Sequence, residues 1–400
     1  MKIAWKTRIG GAVALAAATS IVLAGCSTSS DNSGGGSGGS ATSASGECSA
    51  SGVDWDAVHQ LTDPYYTPTT GNKLPISEPL KTPPTEPLNV VYLDNATPVS
   101  ALLYQGLQTV STVLPNANIT SVNVGSDAQS INTGFNSVLE AKPDIAIAVA
   151  LDPTFFQNQI QQFKDAGITL VLGSVTNADQ FGLEDTYSGN GAQTQFGKVL
   201  AGSTLLLDCG QSKNYVFYNV PELAFSTVQQ NAAVAEMKQL CPDCTVRTVN
   251  IPVAQMANGA DQIVSDLQAH PETGAFMTSV DNLQEGLQQK MQLAGLSNVP
   301  GIGQSSTPLN IQQIADGTQA QGQAIYLSQL MWLLMDEALR VRQGMPNPAA
   351  TMDWAVYDQS IARNLTKETA PEYNNPQGFV SMPDMPQQFA KLWGVPAPTS

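Results

Sequence analysis

Histidine is nearly missing from this chain: two occur in 400 residues, His59 and His270, the second directly before Pro271. That scarcity argues against a Ser-His-Asp triad and against any metal cluster built on imidazole. Charge is scarce as well, at 12% of residues, and cations are the rarer sign: 17 Lys and Arg against 33 Asp and Glu give a formal net charge of -16. Nucleic acid and anionic lipid surfaces require clustered Lys and Arg, so neither is expected as a partner. A phosphate-cradling GxxxxGKS/T is lacking, and the pairs Gly189–Gly191 and Gly301–Gly303 lack the third glycine of a dinucleotide loop. No cofactor or metal is implied. Long apolar runs are few. Ala324 to Leu339 is the most hydrophobic helical stretch, but Ser, Gln and acids interrupt it and it is too short to span a membrane.

One apolar run has a different meaning. Lys2, Lys6 and Arg8 precede Ile9 to Leu23, which is broken only by Gly, Thr and Ser, so residues 1–25 read as a signal peptide. Leu23 to Cys26 spells LAGC, which resembles the lipobox of bacterial lipoproteins, and the resemblance implies that Cys26 is lipidated. Acyl chains at that residue hold a protein to a membrane surface, at about 0.8 kcal/mol for each buried methylene. The expected location is therefore the outer face of the cell membrane, lipid-anchored. Residues 26–51 are almost entirely Ser, Gly, Thr and Ala, a tether too poor in apolar area to order itself. Loss of three basic leader residues takes the formal charge from -16 to -19. About 375 residues remain, enough for two lobes.

Beyond Cys26, four cysteines are left: Cys48, Cys209, Cys241 and Cys244. In an oxidising compartment these read as two disulfides with three possible pairings. Cys209 and the CPDC pair each precede a strand at one sheet edge, so Cys209 with Cys241 or Cys244 is a reasonable pairing, leaving Cys48 to tie the extension to the body. The alternative, a redox CxxC, lacks the helix N-terminal field that activates such thiols, because CPDC follows a helix.

Residues 52–87 are Pro-rich, with PYYTP and EPLKTPPTEP, and read as an extended surface arm. From Leu88 short apolar runs alternate with helical repeats. Strands are expected at Asn89–Leu93, Ile119–Val124, Asp144–Ala150, Thr169–Leu172, Asn214–Asn219, Thr245–Ile251, Ala275–Thr278 and Val299–Gly303. Between them Leu103, Leu107, Val110 and Leu114 share a helix face, as do Phe156, Ile160 and Phe163. Apolar strands joined by single helices mean parallel sheets covered on both faces. The Gly-rich stretch Ser174–Gly191 breaks the rhythm, which favours two Rossmann-like lobes over one sheet. The expected division is 88–180 with about 324–350 for the first lobe, and 181–323 with about 351–400 for the second lobe and tail, the stretch around Trp354 being strand-like.

These residues resemble the type I periplasmic solute-binding proteins of the ribose and sugar transport class. The resemblance rests on Asp152-Pro153 after an apolar strand, AGITLVLGS (Ala166–Ser174), SVDNLQEGLQQKMQLAGLSNVPGIG (Ser279–Gly303), Ile311–Leu339 and the closing QQFAKLWG. It implies two lobes joined by a three-segment hinge, a monomer, no catalysis, and delivery of a small solute to the permease subunits of an ABC transporter. Sugar binders of that class carry aromatics, two arginines and a further Asp at places held here by Thr97-Pro98-Val99-Ser100, Pro153, Gln229 or its neighbour, and Gln304.

In open parallel sheets ligands bind beyond the carboxyl ends of the strands. Applied to both lobes, that rule selects Asp94, Asn95, Thr97, Asp152, Phe155 and Ser174 from the first, and Glu222, Phe225, Asp281, Asn282 and Gln304 from the second. Carboxylates and amides paired with an apolar ring suit a sugar or polyol. Asp152, Asp281 and Asn282 also stand where helix N-caps are needed. The expected function is solute capture between the lobes, with a sensing lipoprotein of the same fold, or an enzyme using a carboxylate pair, as alternatives.

Overall fold

The computed structural model describes residues 48–67, 73–183, 185–296, 299–374 and 379–398. The leader, Cys26 and most of the tether lie outside them. In chain order the elements are α1 (Trp55–Tyr66), β1 (Leu88–Asp94), α2 (Pro98–Gln108), β2 (Ala117–Asn123), α3 (Ala128–Ala141), β3 (Ile145–Val149), α4 (Gln157–Asp165) and β4 (Thr169–Gly173). Then come α5 (Asn190–Asp208), β5 (Asn214–Asn219), α6 (Ala224–Leu240), β6 (Thr245–Asn250), α7 (Gly259–Ala269), β7 (Ala275–Thr278), α8 (Leu287–Leu293) and β8 (Gly301–Gly303). The chain closes with α9 (Pro308–Asp316), β9 (Gly322–Ile325), α10 (Leu327–Arg342), α11 (Trp354–Ile361), β10 (Ala362–Leu365) and α12 (Met385–Trp393).

Two four-stranded parallel sheets form, ordered β2-β1-β3-β4 and β6-β5-β7-β8. Every residue of β3 is buried, because helices cover both faces of the sheet. Val90 and Tyr92 point to a core shared with α2 and α10, while Val91 and Leu93 point to a core shared with α3 and α4. In the second sheet Tyr215 and Phe217 pack with residues of α5 and α6, and Val216 and Tyr218 with residues of α7 and α8. The outer strands β2 and β6 are partly exposed, as edges are.

The chain leaves the first sheet after β4, and α5 packs on α6 and β7 of the second. It returns at Tyr326, so that α10 lies against α2 and β4. Beyond α10 it turns back once more, and β10 pairs antiparallel with β9. β9 and β10 form a small sheet that the sequence pattern did not reveal.

Three further expectations need correction. Within the Pro-rich arm, Trp55–Tyr66 is helical: Asp54 accepts from Ala57 N at 3.1 Å, and Val58, Thr62 and Tyr65 are buried along one face. Pro64 lacks the N–H that would donate to Gln60 O, a single bond lost near the end of the helix, and Thr67 N still closes the last turn on Asp63 O. The strand-like stretch around Trp354 is also a helix, α11, capped by Asp353, which accepts from Ala355 N at 3.1 Å. Helix α12, expected to follow the second lobe, lies against α10: the indoles of Trp393 and Trp332 stack at 5.5 Å, and Trp393 Nε1 donates to Asp336 at 2.8 Å.

The disulfides are Cys48–Cys209, with Cα atoms 4.9 Å apart, and Cys241–Cys244, at 5.3 Å. Cys209 therefore does not pair with the CPDC motif. Helix α1 packs on α5, which brings Cys48 to Cys209 at the left-handed end of α5. Cys241 and Cys244 close the tight turn after α6, where Cys244 N donates to Cys241 O at 2.9 Å.

Candidate functional site

The carboxyl ends of both sheets converge on one cavity of about 70 Å³. Short polar side chains shape its first-lobe wall. After β1, Asp94 Oδ1 accepts from Ala96 N at 2.8 Å, and Asn95 Oδ1 accepts from Thr97 N at 3.2 Å and Thr97 Oγ1 at 2.8 Å. Thr97 Oγ1 in turn accepts from Ser100 N at 3.1 Å, capping α2 ahead of Pro98. The chain thus turns at once from strand to helix, and Asn95, Thr97, Val99, Ser100 and Leu103 face the cavity. Val149, Ala150 and Ser174 complete this wall at the ends of β3 and β4.

The second lobe supplies Leu223 and Phe225 after β5, Met256 after β6, Val280 and Asn282 after β7, and Gln304 and Ser305 after β8. The segments passing between the sheets add Ser188, Gln193, Ile325, Leu327 and Leu330. The walls meet where Thr176 Oγ1 donates to Ala224 O at 2.9 Å.

Four lining residues, Ala150, Ser174, Ser188 and Ser305, hold positive φ between 55° and 63°. Each such backbone costs an L-residue about 1 kcal/mol or more, strain of the kind that gathers at binding sites. Hydrogen bonds maintain two of these corners: Ser174 N donates to Tyr187 O at 2.8 Å, and Ser188 Oγ bonds Tyr357 Oη at 2.7 Å.

Of the residues selected from sequence, Asn95, Thr97, Ser174, Phe225, Asn282 and Gln304 line the cavity. The structure does not bring the other five there. Asp94 is held in the turn just described. Asp152 caps a 3-10 turn, accepting from Thr154 N at 2.9 Å, and Phe155 packs against the core between α3 and α4. Glu222 is exposed, and its Oε2 accepts from Val253 N at 3.3 Å.

Asp281 is wholly buried behind the wall. Its carboxylate accepts from Ser306 Oγ at 2.5 Å, Gln284 Nε2 at 2.7 Å and Gln319 Nε2 at 2.8 Å. Burial outweighs those donors and pushes the carboxyl up to about 7. Gly303 and Gly322 press against it: a Cβ on either would lie 2.6 Å and 2.4 Å from its two oxygens. Asp281 is thus a knot joining β7, β8 and β9.

Sequence reasoning missed the apolar lining, since Leu103, Val280 and Leu330 are indistinguishable from core residues in a periodic pattern. It also missed Ser188 and Gln193, which sit between sheets instead of at a strand end. Among the described residues, no group of three or more His, Cys, Asp or Glu is arranged to hold a metal ion.

A family model described as periplasmic binding protein domain matches residues 90–344, from within β1 to just past α10. Among curated proteins, none matches the sequence. Solved structures of similar fold include an ABC transporter periplasmic solute binding protein from Actinobacillus succinogenes 130z with bound D-allose. It shares 16% identity at a TM-score of 0.59, over 72% of this chain and 100% of that one. A solute binding protein from Burkholderia graminis C4D1M in complex with D-arabinose shares 12% at 0.59, over 73% and 99%. A carbohydrate transporter from Acidothermus cellulolyticus 11B in complex with myo-inositol shares 14% at 0.57, over 72% and 97%. At these identities the likeness carries the fold alone.

Proposed function

Since this chain belongs to the periplasmic binding protein domain family, we propose that it captures a small uncharged solute between its lobes and delivers it to an ABC permease. The observation that carries this reading is the cavity itself, lined from both sheets' carboxyl ends and from the segments that join them. A solute touching both walls adds contacts only when the lobes are together, so it shifts the population toward the contracted form. A permease that recognises the contracted surface then distinguishes loaded from empty protein. Sugars and polyols, the compounds bound by the neighbours of similar fold, are the first class to test.

The same proposal includes an anchor. LAGC at Leu23–Cys26 and the Ser/Gly tether fit a lipid-held receptor that works as a monomer outside the cell. Among the described residues no helix is long and apolar enough to cross a membrane.

The test combines mass spectrometry of the compound released from purified protein with small-angle scattering before and after its return. Recovery of an unchanged compound that reduces the radius of gyration supports capture. Recovery of a chemically altered compound points to turnover, and an unchanged scattering curve removes the closing step.

A further inference from the structure

Among the described residues, the side chains that line the cavity include no ionisable group. The carboxylates nearest in sequence are engaged elsewhere: Asp94 and Asp152 in their turns, Glu222 with Val253 N, and Asp281 behind the wall. A charged ligand would shed its hydration shell and find no counter-charge, which the energetics of burial oppose.

Free hydrogen-bonding capacity is also limited. Asn95 spends its carbonyl oxygen on Thr97 and keeps its amide NH2. The orientation of that amide follows from chemistry, because Thr97 N–H can only donate. Gln193 is committed at both ends, donating to Ser188 O and accepting from Gln229 Nε2. Ser100 Oγ bonds Tyr92 Oη, and Ser188 Oγ bonds Tyr357 Oη. Gln304 Oε1 accepts from Ser305 Oγ, leaving Nε2 unused. What remains is the Asn95 and Gln304 amide NH2 groups, the Ser174 hydroxyl and the Asn282 amide, whose Oδ1 is buried without a partner. Donors and acceptors both remain, but few of each, so a polyhydroxylated sugar would bring more hydroxyls than these groups can pair.

Hydrocarbon fills the rest of the lining. Val99, Leu103 and Leu330 face it from one side, and Leu223, Met256 and Val280 from the other. Hydroxyls set against these groups would lose water and gain nothing, while methylenes set there are favoured.

Resting on the capture reading of this same cavity, we infer that its ligand is an uncharged, compact molecule with a hydrocarbon frame bearing one or two polar oxygens, not a polyhydroxylated sugar. Such a molecule meets the few free polar groups and leaves no hydroxyl unpaired against the aliphatic walls.

Two probes with the same six-carbon ring separate the cases: trans-1,2-cyclohexanediol and myo-inositol. Calorimetry on the full purified chain should give affinity at least about tenfold higher for the diol. Small-angle scattering should show contraction with the diol. Val280→Thr keeps side-chain shape and adds one hydroxyl to the wall, and it should narrow that ratio even where the buried hydroxyl lowers the melting temperature. Tighter binding of myo-inositol, accompanied by contraction, overturns the ligand class and leaves solute capture standing. Failure of the diol to bind or to contract the protein overturns the ligand class, whereas the capture reading falls only if the compound recovered from purified protein leaves the scattering curve unchanged.

Discussion

Asp281 and Asn282 are adjacent, yet the fold gives them opposite duties. Asp281 is enclosed by three donors, and burial raises its carboxyl to about 7. Its folded pKa lies above the ordinary unfolded value, so the folded state retains a proton that the unfolded chain has lost. Stability from this group is therefore greatest in acid and falls as pH rises toward 7, by up to about 1.4 kcal/mol per unit between about pH 4 and 7. Asp358, fully buried with neither oxygen partnered, is pushed well up by burial and acts in the same direction. Asp281→Asn is expected to flatten the dependence, which urea unfolding at about pH 5 and about pH 7.5 will measure. Asn282, by contrast, has an unpartnered carbonyl oxygen at the cavity. Asn282→Ala is expected to lower the occupancy of co-purified solute about tenfold while the melting temperature moves by less than about 2 °C. The sequence offered the two residues as equals, because a strand-end acid and a strand-end amide look alike until the neighbours that satisfy them are known.

Helices and strands were legible to different degrees. The eight strands of the two large sheets stand out as short apolar runs, since burial on both faces demands them. Helix α1 was hidden by its proline-rich surroundings, although Val58, Thr62 and Tyr65 fall on one helical face. The stretch of helix α11 reads as a strand because WAVY combines two aromatic residues with a β-branched one, whereas the deciding signal is the Asp353 cap. The last helix, α12, is anchored by Trp393, which stacks on Trp332 and bonds to Asp336. Arg340 Nε donates to the same Asp336 at 2.6 Å, so removal of the indole also disturbs a buried ion pair. Trp393→Ala is expected to cost about 3–5 kcal/mol in chemical unfolding and to alter the near-ultraviolet circular dichroism.

As a whole, the molecule is two parallel sheets facing one cavity, bound from outside by segments beyond the family match. Residues 73–87 run along α12 and α10: Leu74 N donates to Gln388 Oε1, Leu80 N to Leu392 O, and Arg340 Nη2 to Glu78 O. The preceding helix α1 packs on α5 and is fastened there by Cys48–Cys209, which spans 161 residues. Loss of this link through Cys48→Ser with Cys209→Ser is expected to lower stability by about 2–4 kcal/mol, read as the free energy of urea unfolding. The amino-acid sequence by itself determined the layered architecture and the strand edge at which the cavity lies, because apolar periodicity and strand-helix alternation are local properties. Tertiary structure alone decided which strand-end side chains face the cavity, which cysteines join, and that the lining is neutral and largely hydrocarbon. Those features depend on the meeting of segments distant along the chain, and no local pattern encodes such meetings.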